Sequence, residues 1–394
     1  MDQFTIFKNK NYRHFWGCNL GVNLAIWTQN MACAILVSHL SISAFTNSLV
    51  QVAATLPFFL FGLLVGFVGD HYNKCLTLAI VQGLMALISL ILFFIAYYSQ
   101  LLPWHLILLT FLFGVGTTFR MPIGQVGAVS LVANDQIKIA AIMNNLGFNL
   151  SRTLGPTLAG IILLMRPSSE LFLFAAIILG TTALIFYSKR AMASSHLPTK
   201  ITYRECFKRL FASLEYRHCC FDAVIIFFSG SVIWSLMPYF ARYELHEDAG
   251  GQGLLMGMIG VGALLTAILL PMLVKRFSRH GVIACCYSIL FISLLTICCF
   301  HNQYTVIIMA ALVVFGLGWS MSVASLNGLV QSTFDAALRA RALSIYLMIM
   351  YFAQAMGSLF AGSISHYYSM TLALSFSIIL LVGGAVIKLI RHKF

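Results

Sequence analysis

The chain has 394 residues, of which 60% are hydrophobic and only 9% charged, and its mean hydropathy is +0.91. A soluble protein could not carry so much apolar side chain on its surface without aggregating, so a water-soluble enzyme or binding module is excluded in favour of a polytopic membrane protein. The formal charge of +13 would suit a nucleic-acid binder only if its cations formed one basic face, and they are instead dealt out by loop.

Twelve hydrophobic runs are long enough to cross a bilayer as helices, and they are apolar on both parities, which excludes the alternating pattern of a strand barrel. The opening MDQFTIFKNKNYRHF reads as a short cytoplasmic lead-in, not a cleavable signal. Span 1 (16–41) carries Asn19, Asn23, Trp27 and Asn30 at helical spacing. Span 2 (46–69) ends through Gly66, and Asp70 and Lys74 follow before span 3 (75–98). Span 4 (104–130) sets Arg120 over Gly124 and Gly127. Span 5 (139–165) places Asn145, Asn149, Arg152 and Pro156 at i, i+4, i+7 and i+11, one stripe of a helix, and span 6 (170–187) follows.

The longest polar segment, Lys189 to Arg217, then divides six spans from six, giving an expected organisation of 1–188, a basic cytoplasmic linker 189–217, and 218–394. Span 7 (219–241) holds Asp222 one turn inside its start, beside His218, and Trp234 further along. Spans 8 (251–274) and 9 (282–300) are almost wholly apolar. Span 10 (304–330) leads Ser320, Asn327 and Gln331 down one side, span 11 (342–365) contains Tyr346, Tyr351 and Gln354, and span 12 (370–390) closes the chain. Of 24 Lys and Arg, 20 lie before span 1, in even-numbered loops or in the tail; the odd-numbered loops hold only Arg166 and Arg242. The positive-inside rule therefore expects both termini in the cytoplasm. The ten cysteines, including the adjacent pairs 219/220, 285/286 and 298/299, sit in apolar helices or on the cytoplasmic side and read as small hydrophobes, with no metal site expected.

The two sets of six repeat weakly. Tyr12-Arg13-His14 recurs as Tyr216-Arg217-His218, an offset of 204; Gly66, Asp70 and Lys74 share their spacing with Pro271, Lys275 and Arg279, an offset of 205; FNLSRTLGPTLAG (148–160) lies over MYFAQAMGSLFAG (350–362), an offset of 202. Near-equal offsets indicate duplicated six-helix halves, as alternating-access transporters use. Gly155, Ala159 and Gly160 match Gly357, Ala361 and Gly362, so these are packing positions common to both halves. Arg152 faces Gln354 and Pro156 faces Ser358: the asymmetric residues are the candidates for function.

A charge at bilayer mid-depth costs ~2.5–3.5 kcal/mol on insertion scales and is turned to a protein interior or a watery cavity. Arg120 and Arg152 are two such charges, and of the eleven acids only Asp222 lies inside a span, Glu170 standing at the first residue of span 6. A cationic centre without acids suits an anionic ligand, whose carboxylate or phosphate the guanidinium fork can grip with two bonds. Trp27, Trp234, Trp319, Tyr346 and Tyr351 supply candidate apolar walls, and the amide stripes, which lipid cannot satisfy, should face the bundle interior.

GFVGDHYNK (66–74) resembles the loop 2–3 signature of the major facilitator superfamily, with Gly66, Asp70 and Lys74 in place, His71 where a basic Arg or Lys is usual, and Asn73 for a usual Gly. FRMPIGQVGA (119–128) is similar to the Arg-x-x-x-Gly pattern of its fourth helix, and LGPTLAG (154–160) to the Gly-Pro element of its exporters. FNLSRTLGPTLAG with the lead-in NYRHFW resembles the branch of enterobactin exporters and macrolide-efflux proteins. The resemblance implies an all-α fold of twelve transmembrane helices in two pseudo-symmetric six-helix bundles around a central cavity, rocking between inward-open and outward-open states. It implies a secondary exporter in the bacterial inner membrane carrying a small anion outward, a siderophore foremost, whether carboxylate or catecholate. Efflux of drugs or lipid-like amphiphiles, or a non-transporting receptor on the same fold, are the alternatives. Substrate contacts are expected from Arg120, Arg152, Asn145, Asn149, Asn23, Trp27, Asn30, Trp234, Asn327, Tyr346 and Gln354. Gating is expected from Gly66, Asp70 and Lys74, and from Gly155 and Pro156 as a bend and tight seam between the halves. Asp222 and His218 are the titrating groups available for proton coupling. The expected partners are the bilayer, the anion and a proton; no nucleic acid and no cofactor are expected, no nucleophile–base–acid grouping suggests an enzyme, and the chain is expected to act as a monomer.

Overall fold

The computed structural model describes residues 3–129, 131–132, 136–188, 203–300 and 305–391. Among these every regular element is a helix: a 3-10 turn (Gln3–Lys8), then α1 (Lys10–Leu40), α2 (Ala44–His71), α3 (Lys74–Tyr97), α4 (Pro103–Val129), α5 (Ile137–Met165), α6 (Ser168–Ser188), α7 (Tyr203–Ala212), α8 (Leu214–Tyr243), α9 (Ala249–Arg276), α10 (Arg279–Phe300), α11 (Thr305–Thr333), α12 (Ala336–Tyr367) and α13 (Met370–Arg391). All but α7 are long and apolar enough to cross a membrane, which gives the twelve spans expected.

The helices outrun the hydrophobic runs because a run stops at the first charge, whereas a helix stops where its terminal N–H groups find other acceptors. Asn9 accepts from the backbone N–H groups of Asn11 and Tyr12, so α1 starts at Lys10, six residues before its apolar run. Asn73, Ser213 and Asp248 cap α3, α8 and α9 in the same way. Such caps contribute about 1 kcal/mol each.

Helix α7 lies inside the stretch read as a linker. Its sequence YRECFKRLFA is polar in bulk, but Cys206, Phe207, Leu210 and Phe211 recur at helical spacing, so one face is apolar. Cys206 and Leu210 are buried, the rings of Phe207 and Phe211 stack at 5.6 Å, and Phe211 meets Tyr216 edge-on at 5.6 Å. Helix α7 thereby packs on α8 and α12.

Twelve spans put both termini at one end of the molecule, here the termini end; the other is the far end. The two sets of six are built alike down to single contacts. The Tyr12 hydroxyl donates to the Ala140 carbonyl at 3.2 Å, joining α1 to α5, and Tyr216 donates to Ala342 at 3.0 Å, joining α8 to α12. A Cβ on Gly155 would stand 2.5 Å from Trp27 Cβ on α1, and one on Gly357 would strike the Phe228 carbonyl on α8. A Cβ on Gly160 would stand 2.5 Å from the Ala249 carbonyl on α9, and one on Gly362 would strike Ser48, with the Ala44 carbonyl beyond, on α2. In each half the first glycine packs on that half's own first helix and the second crosses to the other half. The crossings α5–α9 and α2–α12 are the main contacts between halves.

Lipid gives helices no hydrophobic drive to associate, so close packing of backbones must do that work. Gly155→Leu and Gly357→Leu should each destabilise their half by roughly 1–3 kcal/mol or more, while Gly83→Ala, where an added Cβ meets nothing within 4 Å, should be neutral or slightly stabilising. Thermal unfolding of the detergent-extracted protein, followed by size-exclusion, checks the ordering.

Candidate functional site

The seam between α5 and α9 is the frame of the site. Gly253, Gly257 and Gly260 of α9 face Pro156, Gly160, Thr157 and Thr153 of α5, and a Cβ at Gly253 would lie 2.6 Å from the Pro156 carbonyl and 2.8 Å from Gly160 Cα. This corrects one expectation: Gly155 does not form the seam between the halves. It sits under Trp27 and Thr28 of α1, because it is five residues from Gly160 and so on another face of the same helix. Pro156 lies within α5, and its missing N–H leaves the Arg152 carbonyl without its helical donor.

One turn before this seam, Arg152 reaches across to the second half. Its Nη2 donates to Asn149 Oδ1 at 3.0 Å on its own helix and to Ser320 Oγ at 2.5 Å on α11. The residue is 7% exposed, and its Nε is buried without a hydrogen-bond partner among the described residues. Arg120, 3% exposed, is held differently. Its Nη1 donates to Asn23 Oδ1 at 2.6 Å and its Nη2 to the side-chain oxygen of Asn19 and, at 3.3 Å, to the Asn19 carbonyl, all on α1. No carboxylate pairs with either guanidinium among the described residues. Neutral oxygens carry both charges, so most of each charge remains uncompensated at mid-depth.

Aromatic rings cross the seam beside Arg152. Trp27 of α1, Trp234 of α8 and Trp319 of α11 form a row with successive centroids 5.9 Å apart, and Phe148 meets Trp27 at 5.9 Å. Trp234 Nε1 is another buried donor without a partner among the described residues. On the opposite seam Phe58 of α2 stacks on Tyr351 of α12 at 4.1 Å, within electrostatic reach of Arg152. Gln354 is buried on α12, three residues on from Tyr351.

Other expected contacts lie further off. Asn30 is partly buried, Asn145 is exposed nearer the termini end, and Asn327 on α11 has a buried Oδ1 without a partner among the described residues. Tyr346 is a correction. It is fully buried inside the second half, its hydroxyl 4.0 Å from Met350 Sδ. Five residues separate it from Tyr351, about 140° around the helix, so only one of the pair can face the first half.

Lys74 is buried at the start of α3; Gly66 and Asp70 fall in the last turns of α2, with their side chains outside the described residues. Asp222 is 4% exposed and fully engaged: Lys388 of α13 approaches one carboxylate oxygen at 2.5 Å, and the Tyr287 hydroxyl of α10 donates to the other at 3.1 Å. His218 lies one turn earlier on α8, half-buried.

A polar cluster at the far end was not anticipated. His39 of α1 meets Arg242 of α8 and Gln252 of α9, and Ser38 donates to Gln252 Oε1 at 3.1 Å. The legible sign was Arg242, one of two cations in loops that the positive-inside rule leaves nearly bare. The glycine row of α9 was also readable, since Gly253 and Gly257 form a small-xxx-small pair.

A sequence profile of the transmembrane secretion effector family matches residues 1–393. The chain is 22% identical over 280 residues to the staphyloferrin A transporter of Staphylococcus aureus (strain NCTC 8325 / PS 47), covering 69% of each. Among solved structures, a bacterial homologue of the human lysosomal transporter Spinster, inward-facing and unoccupied, superposes with a TM-score of 0.76 at 11% identity over 97% of both chains. A D-xylose–proton symporter does so with a TM-score of 0.71 at 14% identity, again over 97% of both. At such identities the likeness is one of fold. With the family profile running almost end to end over twelve spans in two matched halves, the chain belongs to the transmembrane secretion effector family of the major facilitator superfamily and is a secondary transporter.

Proposed function

We propose that the chain exports a small anionic metabolite, a siderophore of the carboxylate type, across the bacterial inner membrane by alternating access. The observation that carries this reading is Arg152: a buried guanidinium at the seam between the halves, with its Nε unpartnered among the described residues and only neutral hydrogen-bond partners. A carboxylate there supplies the missing charge and takes two bonds. Arg152 is the anchor because its bonds reach across the halves to Ser320, whereas Arg120, whose Nε is likewise buried without a partner among the described residues, bonds to α1 of its own half. The similarity to a staphyloferrin A transporter supports the siderophore class. The tryptophan row supports a second reading, an aromatic, catecholate-type siderophore stacked beside the same arginine.

In this reading 1–188 and 218–394 move as two bodies joined by 189–217. Contacts between the halves gather at the far end and middle, while Asn145, Gln125 and Gln331 near the termini end are exposed, which supports a conformation open on the termini side. By the positive-inside rule that side is the cytoplasm. Outward movement of an anion is aided by the inside-negative potential at ~2.3 kcal/mol per charge per 100 mV.

Inside-out vesicles should accumulate a polycarboxylate siderophore, and spent medium of a deletion strain should be depleted of one; a catecholate competing in its place would select the second reading. Arg152→Gln should insert normally but weaken affinity by about tenfold to a hundredfold. Arg152→Lys should recover only part, because a point charge lacks the planar fork. Ser320→Ala frees the guanidinium and should leave affinity unchanged or improved. A stable Arg152→Gln variant with unaltered affinity sinks the anchor role.

Proton exchange belongs to the same proposal, with Asp222 as the carrier and His218 beside it. Asp222→Asn strands Lys388 as a buried cation and should lower thermal stability, by roughly 3–5 kcal/mol, whereas Asp222→Leu with Lys388→Met should regain most of it. If the double variant still transports in response to a pH gradient, the pair is structural and the proton travels elsewhere.

A further inference from the structure

At the far end, the first helix of one half and the first two of the other close on a single imidazole. His39 ends α1 and is exposed to water. Arg242 Nη1, from the last turn of α8, stands 2.7 Å from His39 Nδ1 and 3.0 Å from Nε2. Gln252 Nε2 of α9 stands 3.2 Å from the same Nε2. The orientation of the Gln252 amide is fixed by its other bonds: Nε2 donates to the Glu247 carbonyl at 3.1 Å, and Oε1 accepts from Ser38 at 3.1 Å. The ring therefore faces donors at both nitrogens, Arg242 nearer Nδ1 and Gln252 at Nε2, and one of those donors is a permanent cation. Only a neutral imidazole keeps a lone pair that can accept from either of them. The contacts beneath the ring are buried: Ser38 and Gln252 are fully buried, and the Tyr243 hydroxyl donates to the Ser38 carbonyl at 3.0 Å.

We propose that His39 is a proton-operated latch: neutral, it joins the halves at the far end, and a proton taken from the water on that side releases them. Protonation removes the one lone pair the ring can offer to these donors and puts a second cation against Arg242. The charged groups facing the ring from the packed elements are Arg242 on α8 and Asp248 at the cap of α9. Glu247 turns only its carbonyl this way, through Gln252. The Asp248 carboxylate accepts from the Gly251 N–H at 2.8 Å and is exposed, so it is placed to take either cation once the helices part. A second histidine at this end, His366 of α12, meets the Ser43 hydroxyl across the other seam at 3.4 Å and loses little on protonation because it can still donate to that oxygen.

The latch rests on the alternating-access reading, and the test separates the two without any substrate. Clickable amino acids placed at Tyr98 and Phe300, both exposed at far-end helix termini, would report far-end separation by single-molecule energy transfer in nanodiscs. In the wild-type chain the open population should rise as pH falls from about 8 to about 5, by up to about tenfold per unit once His39 titrates. His39→Gln, which can still accept from Arg242, should stay closed throughout, and His366→Gln should behave as wild type. Gly253→Leu, which wedges the α5–α9 seam, should be open at every pH. A wild-type chain that stays closed in acid while the Gly253→Leu variant opens would overturn the latch alone. Opening that survives His39→Gln, or that vanishes in His366→Gln, would overturn the assignment to His39. If no variant opens, the latch and alternating access fall together.

Discussion

Backbone contact between α5 and α9 governs how the rest of this molecule is arranged. Helices in lipid gain nothing from hiding apolar side chains from one another, so two six-helix bodies can meet only where side chains are small enough for dispersion to act between main chains. Gly160 and Gly253 provide that place, each with room for no Cβ against the other helix. Arg152 stands two turns from Gly160 on the same helix. Its fork reaches Ser320 on α11, and Trp27 is brought to Trp234.

The fold was legible almost entirely, because the period and length of apolar runs are dictated by bilayer thickness. The internal repeat was legible for a different reason: glycines that permit close approach cannot be exchanged for other residues, so Gly155 and Gly160 kept their counterparts in Gly357 and Gly362. What was less legible was direction around a helix. Tyr346 and Tyr351 look equivalent in the sequence, yet one lies in the core of its own half and the other stacks on Phe58. Gly155 was given to the wrong neighbour on the same grounds. Helix α7 was hidden because amphipathic periodicity over ten residues is diluted by the charges around it.

Symmetry also clarifies how differently the buried charges are handled. Arg120 is tied inside its half by two asparagines, and Asp222 is tied inside the other by Lys388 and Tyr287. Arg152 alone of these three spans the seam, and its counterpart Gln354 is neutral. Duplication supplied a frame with two equal positions, and only one of them holds a charge. Each half is meanwhile braced by its tyrosine, Tyr12 on Ala140 and Tyr216 on Ala342, so motion between the halves need not loosen either.

The docking of α7 gives the crossover between the halves a mechanical sense. With Cys206 and Leu210 buried where α7 packs on α8 and α12, the segment after Tyr203 is part of the second half's packing. Helix α7 thus rests on α12, the helix whose Tyr351 stacks on Phe58 of α2. The helix that anchors the crossover on the second half is therefore the same one that packs against α2 across the second seam.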